Sequence, residues 1–170
     1  MSLTIRLAGR GDSARLLPLV EAYYKFDSIA FDRVATDRAL RRLLRDHSNG
    51  RAWIAEAERS PAGYAILTYN YDLESGGTQG IITDMFVGPR YRRKGLGAKL
   101  IAGICDYCRT VDIDAVELQV TASNRKAQSF YRALGFIESD RIVMGLDVRQ
   151  VGAEPKPRSR SVRRRAIART

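Results

Sequence analysis

Residues 82–97 combine a carboxylate with the residue types that bind a phosphate group. An apolar run from Ile82 to Val87 contains one acid, Asp84, and ends at Gly88-Pro89. Basic residues and glycines follow within eight positions, in the order Arg90, Arg92, Arg93, Lys94, Gly95 and Gly97. Glycines let backbone N–H groups approach a phosphate closely, and a helix N-terminus carries about half a positive charge. The stretch therefore predicts an anion site between a strand and a helix.

A second polar and aromatic group lies beyond the next predicted strand. It comprises Asn124-Arg125-Lys126-Ala127, then Phe130-Tyr131, then Leu134-Gly135-Phe136. Asparagine is a good helix N-cap, and a glycine after the last apolar residue is typical of a helix C-terminus. An ordinary strand–turn–helix unit would explain the basic glycine loop, but it would not explain both groups together.

Apolar periodicity predicts the elements that must position these two groups. Strands are predicted at 3–7, 52–57, 63–71, 81–87, 115–120 and 141–148. Helices are predicted at 13–25, from Thr36 or Asp37 onward, after Gly97, and from Ser123 or Asn124 to Leu134. The segment joining the second and third strands should turn at Ser60-Pro61.

Composition indicates one globular domain, residues 1–149, followed by a basic tail. Residues 151–170 hold seven Lys or Arg against one Glu, which leaves only +4 of the net charge of +10 for the rest. Residues 150–170 lack the apolar periodicity of the preceding chain and are expected to be disordered. No stretch approaches the ~20 apolar residues of a membrane span, so no membrane association is expected.

The two cysteines cannot form a disulfide framework, and a cytoplasmic location is the expectation. Cys105 and Cys108 have metal-site spacing, but a second pair is missing and His47 is the only histidine. A structural zinc site would lack ligands, so no metal is expected. Cys108 is instead predicted to be a core residue of its helix.

Together, the basic glycine loop and the Asn124, Tyr131 and Leu134-Gly135-Phe136 group resemble the GNAT superfamily of acetyl-CoA-dependent N-acetyltransferases. The resemblance extends from Leu3 to Val148 in the order of elements. It implies an α/β (α+β) fold with a mixed, mainly antiparallel sheet of about six to seven strands. About four helices would flank this sheet, and strands 4 and 5 would splay apart.

The resemblance also implies where acetyl-CoA binds. Backbone N–H groups of the loop would hold the pyrophosphate, with the arginines secondary because an exposed ion pair contributes only ~1 kcal/mol or less. The pantetheine arm would lie between strands 4 and 5. The implied cofactor-binding residues are Met85, Phe86, Val87, Arg92, Arg93, Lys94, Gly95, Leu96, Gly97, Ala98, Asn124 and Tyr131.

The implied chemistry is attack of an amine on a thioester. Because deprotonating an amine of pKa ~10.4 at pH 7 costs about 4.6 kcal/mol, a general base is useful. Asp84 is the candidate, acting directly or through water, with Glu117 and Glu56 as weaker alternatives. Tyr131 would donate a hydrogen bond to the departing thiolate. It would either transfer its proton only late in the reaction or have a lowered pKa.

An acceptor pocket is implied at the first two helices, their connecting loop and the hairpin before the central strand. Its predicted residues are Tyr24, Phe26, Asp27, Phe31, Tyr69 and Asp84. Aromatic rings and carboxylates suit a cationic amine. The acceptor itself, small molecule or protein, stays open, as does a homodimer. The alternative functions are a non-catalytic acyl-CoA sensor and a nucleic-acid-associated module that uses the tail.

Overall fold

The structure, a computed structural model, describes residues 2–74 and 76–148. Five strands are present in these ranges: β1 (Leu3–Leu7), β2 (Gly50–Ala57), β3 (Ser60–Asp72), β4 (Gly77–Val87) and β5 (Val116–Leu118). Four α-helices accompany them: α1 (Ser13–Phe26), α2 (Arg33–Arg45), α3 (Leu96–Thr110) and α4 (Arg125–Ala133). Short 3₁₀ turns occur at Arg10–Asp12 and Pro89–Tyr91.

The strands form one sheet in the order β1-β2-β3-β4-β5. The first four are antiparallel, and β5 runs parallel to β4. The β4–β5 pairing covers only Gly80 to Ile82, whereas β4 continues to Val87. The predicted mixed, mainly antiparallel sheet with a splay between strands 4 and 5 is therefore confirmed.

Helices cover both faces of the sheet, and each face has its own apolar core. On one face α1 and α2 bury Leu16, Leu17, Val20, Leu40 and Leu44 against Ile54, Tyr64 and Phe86. On the other face α3 buries Leu96, Leu100, Ile101 and Ile104 against Trp53, Leu67 and Ile82. Side chains alternate between the two faces of each strand, and every helix presents one apolar face at a period of 3.6, so the residues of the two cores are distinct.

A β-bulge in β4 decides which face receives Asp84. Ile66 of β3 pairs with Asp84, but the next residue, Leu67, pairs with Ile82, so Thr83 is the extra residue. Ile82 packs in the α3 core, and strict alternation would send Asp84 to that same face. The bulge reverses the alternation, and Asp84 faces α1 instead.

The prediction of a strand from Arg141 to Val148 is wrong. Residues 141–147 have no regular secondary structure, and four apolar side chains of this segment are 67–85% exposed. Alternation makes a strand only where a ladder partner exists, and β5 presents an edge of only three residues. The described sheet thus has five strands rather than six or seven.

Two local predictions shift and one is confirmed. Helix α2 begins earlier than Thr36, because the carboxylate of Asp32 accepts a hydrogen bond from the amide of Ala35 at 2.9 Å. The β2–β3 turn lies at Glu58 and Arg59, both with positive φ, rather than at Ser60-Pro61. Gly135 has φ +93° after α4, as the C-terminal glycine pattern predicts.

None of the helices in residues 2–74 and 76–148 has the length and apolar character needed to cross a membrane. The predicted basic tail, residues 150–170, lies outside the described residues.

Candidate active site

The carboxyl group of Asp84 lies on the α1 side of β4, among tyrosine side chains. Burial raises its pKa to about 6, and interactions with the hydroxyls of Thr83 and Tyr64 oppose that rise. The raised pKa makes Asp84 a better proton acceptor than an ordinary aspartate, while the group is still mostly ionised at pH 7. A strongly perturbed carboxyl group on an open strand is a reasonable catalytic candidate.

An aromatic wall from α1 and its following loop lies beside Asp84. Tyr23 contacts Tyr24 edge to face, with 5.9 Å between ring centroids, and Tyr24 contacts Phe31 in the same way at 5.8 Å. Burial and the charge of Asp84 raise the pKa of both tyrosines, so their hydroxyls remain protonated donors at neutral pH.

Phe26 and Asp27 end α1 at the same wall. The Phe26 ring is 57% exposed and lies 6.4 Å from the ring of Phe86, the strand residue two beyond Asp84. Asp27 is the exposed C-cap of α1, and its charge contributes to the raised pKa of Tyr23. The structure therefore brings together the predicted residues Tyr24, Phe26, Asp27, Phe31 and Asp84.

Tyr131 enters from the opposite side of the sheet, on α4. Its ring contacts Phe130 and Phe136, with centroid distances of 5.2 and 5.5 Å. Tyr131 contributes to the raised pKa of Tyr23 on α1, after burial and the charges of Asp84 and Asp27. Burial raises the pKa of Tyr131, which favours a hydrogen-bond donor over a phenol with a lowered pKa.

Helix α3 begins at the predicted phosphate loop. Gly95 is its N-cap with φ +80°, a left-handed conformation that side chains rarely adopt. The helical hydrogen bonds begin with the Lys99 amide and the Gly95 carbonyl, at 3.0 Å. The amides of Leu96, Gly97 and Ala98 therefore point out of the helix N-terminus, where an anion is stabilised.

The lack of a side chain at Gly97 allows α4 to pack closely against α3. A Cβ placed on Gly97 would lie 2.9 Å from Cζ of Phe130 and 3.4 Å from Cε of Met85. Asn124 caps α4 through a hydrogen bond from the Ala127 amide to its side-chain oxygen, at 3.1 Å. The glycine loop and the Asn124–Tyr131 helix are thus one packed unit, which explains why the two groups occur together in the sequence.

The side chain of Arg92 turns away from the helix N-terminus and toward the α1 wall. Its guanidinium lies 4.8 Å from the ring centroid of Phe26 and 5.6 Å from that of Phe86. Its Nε donates to the carbonyl of Val87 at 2.9 Å. The sequence predicts Arg92 as part of the cofactor loop but does not reveal this contact with Phe26, a residue predicted for the acceptor pocket.

The other predicted cofactor residues lie at the end of β4 and in the loop before α3. Met85, Phe86 and Val87 form the end of β4 beyond its pairing with β5. The Val87 carbonyl already accepts from Arg92, which leaves Met85 and Phe86 as the open part of that strand. Arg93 and Lys94 are exposed in the loop, and Arg93 has φ +61°.

Tyr69 is not brought to this wall. It lies on the α3 face, where its hydroxyl is 2.7 Å from the hydroxyl of Tyr107. Tyr69 and Tyr64 are five residues apart on one strand, so they face opposite sides of the sheet.

The two alternative bases also lie elsewhere. Glu56 accepts hydrogen bonds from Arg15 at 2.6 Å and from Arg6 at 3.0 Å. Burial opposes the change, but these two hydrogen bonds lower its net pKa, which makes it a poor base. Glu117 is exposed on β5. Within residues 2–74 and 76–148, no three His, Cys, Asp or Glu side chains group into a metal site.

Two residues beside Asp84 were not predicted. Tyr64 has no exposed surface, and Thr83 forms the bulge. A bulge carries no sequence motif here. Tyr64 could have been noticed as a hydroxyl-bearing residue on the α1-facing side of an otherwise small and apolar strand segment.

Comparison with known proteins agrees with this geometry. Residues 17–136 match the Acetyltransferase (GNAT) family. An uncharacterised N-acetyltransferase, YhfO of Bacillus subtilis, is 31% identical over 136 residues, which cover 80% of this chain and 91% of that protein. Thialysine N-epsilon-acetyltransferase of Bos taurus is 24% identical, covering 77% of this chain and 82% of the relative.

Solved structures share the fold over most of their length. An integron cassette protein from the metagenome of Cole Harbour Salt Marsh has a TM-score of 0.76 and 30% identity, covering 85% of this chain and 90% of its own. The aminoglycoside N-acetyltransferase AAC(6')-Iy, solved in complex with CoA, has a TM-score of 0.77 and 19% identity, covering 86% and 95%. The family match and the relatives together establish that the chain is an acyltransferase of the GNAT N-acetyltransferase family.

Proposed function

We propose that this acetyltransferase uses acetyl-CoA to acetylate a primary amine by direct attack in a ternary complex, with Asp84 as the general base. The observation that carries the proposal is the position of Asp84. Its carboxyl group, with a pKa of about 6, faces the aromatic wall of α1, and it belongs to β4, the strand that extends to Val87 beyond its pairing with β5.

The donor half of the site would use backbone groups first. The first-turn amides of α3 bind the pyrophosphate, and the unpaired edge of β4 at Met85 and Phe86 binds the pantetheine arm. Gly95, with its positive φ, gives the loop the shape that exposes these amides. Arg93 and Lys94 add a solvent-screened electrostatic contribution, and Asn124 lies at the start of the helix that carries Tyr131.

Acetyl transfer begins with deprotonation of the amine: the acceptor ammonium gives one proton to Asp84, directly or through one water, and Asp84 releases it to solvent. The neutral amine nitrogen then forms a bond to the thioester carbon, and its surplus proton passes to Asp84 by the same route. The carbon–sulfur bond breaks next, and the electron pair leaves on the coenzyme A sulfur. Tyr131 donates a hydrogen bond to that thiolate, which becomes the thiol by taking up the surplus proton that the amine nitrogen gave to Asp84. The products are the acetylated amine and coenzyme A.

The raised pKa of Asp84 assists the first step. A carboxyl group with a pKa of about 6 instead of 3.8 binds a proton more favourably by about 3 kcal/mol, because one unit of pKa corresponds to about 1.36 kcal/mol. Asp84 and Asp27 supply negative charge for a cationic amine, and the rings of Tyr23, Tyr24 and Phe31 supply an apolar wall. We therefore expect an acceptor with a protonated primary amine at neutral pH.

A thermal shift with acetyl-CoA, followed by an amine panel, tests this proposal. The panel contains thialysine, lysine, a polyamine, an aminoglycoside and a peptide with a free N-terminus, with free thiol as the readout. Stabilisation by acetyl-CoA and thiol release with at least one amine are expected. Stabilisation without release from any amine would instead indicate an acyl-CoA sensor.

A further inference from the structure

Tyr64 carries a buried hydroxyl that has no conventional partner. Its side chain has no exposed surface, and its oxygen makes no hydrogen bond of ordinary length and angle with any residue in 2–74 and 76–148. A buried polar group without a partner is costly, because it loses its hydrogen bonds to water. Such a hydroxyl in an otherwise apolar core therefore requires an explanation.

The sheet register places this hydroxyl beside Asp84. Tyr64 of β3 pairs with Phe86 of β4, and Ile66 pairs with Asp84. Tyr64 and Asp84 are thus diagonal neighbours on adjacent strands, a separation that a long aromatic side chain can span. Tyr64 packs in the α1 core, and the bulge at Thr83 brings Asp84 to the same face.

From this juxtaposition we infer that Tyr64 is a positioning residue for Asp84, whose buried hydroxyl donates a hydrogen bond to the ionised carboxylate, directly or through one water. The inference rests on the proposed role of Asp84 as the base. Tyr64 would fix the direction of the carboxylate toward the end of β4 and favour its ionised form. Its ring would do this from within the core, without contacting the substrates.

The electrostatics agree with this arrangement. Burial dominates the raised pKa of Asp84, and the Tyr64 hydroxyl is one of the two side-chain hydroxyls that oppose it. Conversely, burial and then the charge of Asp84 raise the pKa of Tyr64, which keeps the phenol protonated and able to donate.

Other groups also face this carboxylate and could affect its titration. Tyr23 and Tyr24 approach from α1, and Tyr23 in turn is influenced by Asp27 and by Tyr131 of α4. Thr83 approaches from β4 itself. Tyr64 differs from Tyr23 and Tyr24 because it is fully buried and because it belongs to β3, the strand that pairs with β4 at Asp84.

The test is a direct titration of Asp84 by carboxyl ¹³C NMR in the full chain, with Asp84→Asn identifying the resonance. In Tyr64→Phe the pKa of Asp84 should rise from about 6 by roughly one pH unit, because a hydrogen bond to the charged form is lost. The acidic limb of kcat/KM should move upward by the same amount. An unchanged titration in Tyr64→Phe overturns the inference.

Tyr107→Phe is the matched control. It also removes a tyrosine hydroxyl, one that lies 2.7 Å from the Tyr69 hydroxyl on the α3 face. It should leave the titration of Asp84 unchanged, although it removes a hydrogen bond. An equal upward movement in Tyr107→Phe would show a general loosening of the sheet and would overturn the assignment to Tyr64.

Urea unfolding gives a readout that needs no substrate. Tyr64→Phe should lose stability relative to the native chain at pH 8, where Asp84 is ionised, and show a smaller loss at pH 4.5, where it is protonated. An equal change at both pH values would contradict the inference. Full activity of Asp84→Asn would instead refute the base role, and the NMR titration would still decide whether Tyr64 holds the carboxylate.

Discussion

The guanidinium of Arg92 lies over the ring of Phe26, with 4.8 Å between Cζ and the ring centroid. This contact joins the loop before α3, on the proposed donor side of the site, to the end of α1, on the proposed acceptor side. An arginine of the basic loop before α3 thus packs on an aromatic ring proposed for the acceptor pocket. The Phe26 face covered by Arg92 is also closed to a substrate ammonium group.

Arg92→Met should therefore weaken acceptor binding more than acetyl-CoA binding. A cation–π contact contributes ~1 kcal/mol, so we expect the acceptor KM to rise about five-fold. Acetyl-CoA affinity, measured by calorimetry, should change less than about two-fold, because backbone amides hold the pyrophosphate.

Arg90→Met is the matched control for Arg92, since it removes an exposed arginine from the neighbouring turn. It should leave the acceptor KM unchanged. If Arg92→Met instead raised the acetyl-CoA dissociation constant strongly and left the acceptor KM alone, the guanidinium would be a phosphate ligand rather than part of the wall.

Gly97→Ala should disturb the packing between α3 and α4. The added Cβ would lie 2.9 Å from Cζ of Phe130, a distance that forces the Phe130 ring to move. Because Tyr131 is the next residue, we expect kcat to fall at least ten-fold along with a weaker acetyl-CoA affinity. Steady-state kinetics and calorimetry measure both effects.

Gly103→Ala, further along the same helix, separates packing from helix propensity. A Cβ there would meet its nearest neighbour, Cγ2 of Ile5, at 3.5 Å, an ordinary contact. Alanine is favoured over glycine in a helix by up to ~1 kcal/mol, so this variant should be at least as stable as the native chain. Equal damage from both substitutions would refute the Phe130 explanation.

Asp84 should make the protein less stable as the pH rises through its titration. Its pKa is raised by folding, from 3.8 to about 6, so the protonated form is the one that the fold favours. Above pH 6 the ionised carboxylate remains partly buried, at a cost of up to about 3 kcal/mol. Asp84→Asn should accordingly be the more stable protein at pH 8, with no advantage below pH 4. A native chain that is the more stable at pH 8 would contradict this explanation.

Asp12 should have the opposite dependence. The hydrogen bond from Arg6 is the main cause that lowers its pKa to about 2, and the two nitrogen–oxygen distances are 2.8 and 2.7 Å. Its stabilisation is present above pH 3.8 and is lost as the pH falls through 2. Asp12→Asn should cost about 2 kcal/mol of unfolding free energy at pH 7 and little at pH 2. Urea titrations at the two pH values measure this difference.

The sequence indicated the donor half of the site better than the acceptor half. Gly95, Gly97, Asn124 and Tyr131 have backbone or packing constraints that only a few residue types satisfy, so their pattern is readable. Arg92 could not be assigned to the acceptor wall, because the direction of a long flexible side chain depends on contacts made far along the chain.

Strand alternation explains two further differences between expectation and structure. Tyr69 lies five residues after Tyr64 on β3, so its side chain faces α3 while that of Tyr64 faces α1. Strict alternation along the strand predicts this difference. Asp84 faces α1 only because Thr83 interrupts the alternation in β4, and no local sequence pattern reveals that bulge. The apolar residues of 141–148 alternate well enough to predict a strand, but periodicity does not supply a ladder partner.

The pH dependence of kcat/KM in the native chain and in Asp84→Asn tests the central claim most directly, with coenzyme A release as the readout. The native chain should show an acidic limb near pH 6, the pKa of Asp84. Asp84→Asn should lose that limb and fall at least a hundred-fold in rate, since a general base contributes ~10²–10⁴-fold. An Asp84→Asn variant with native activity and the same acidic limb would contradict the assignment of Asp84 as the base.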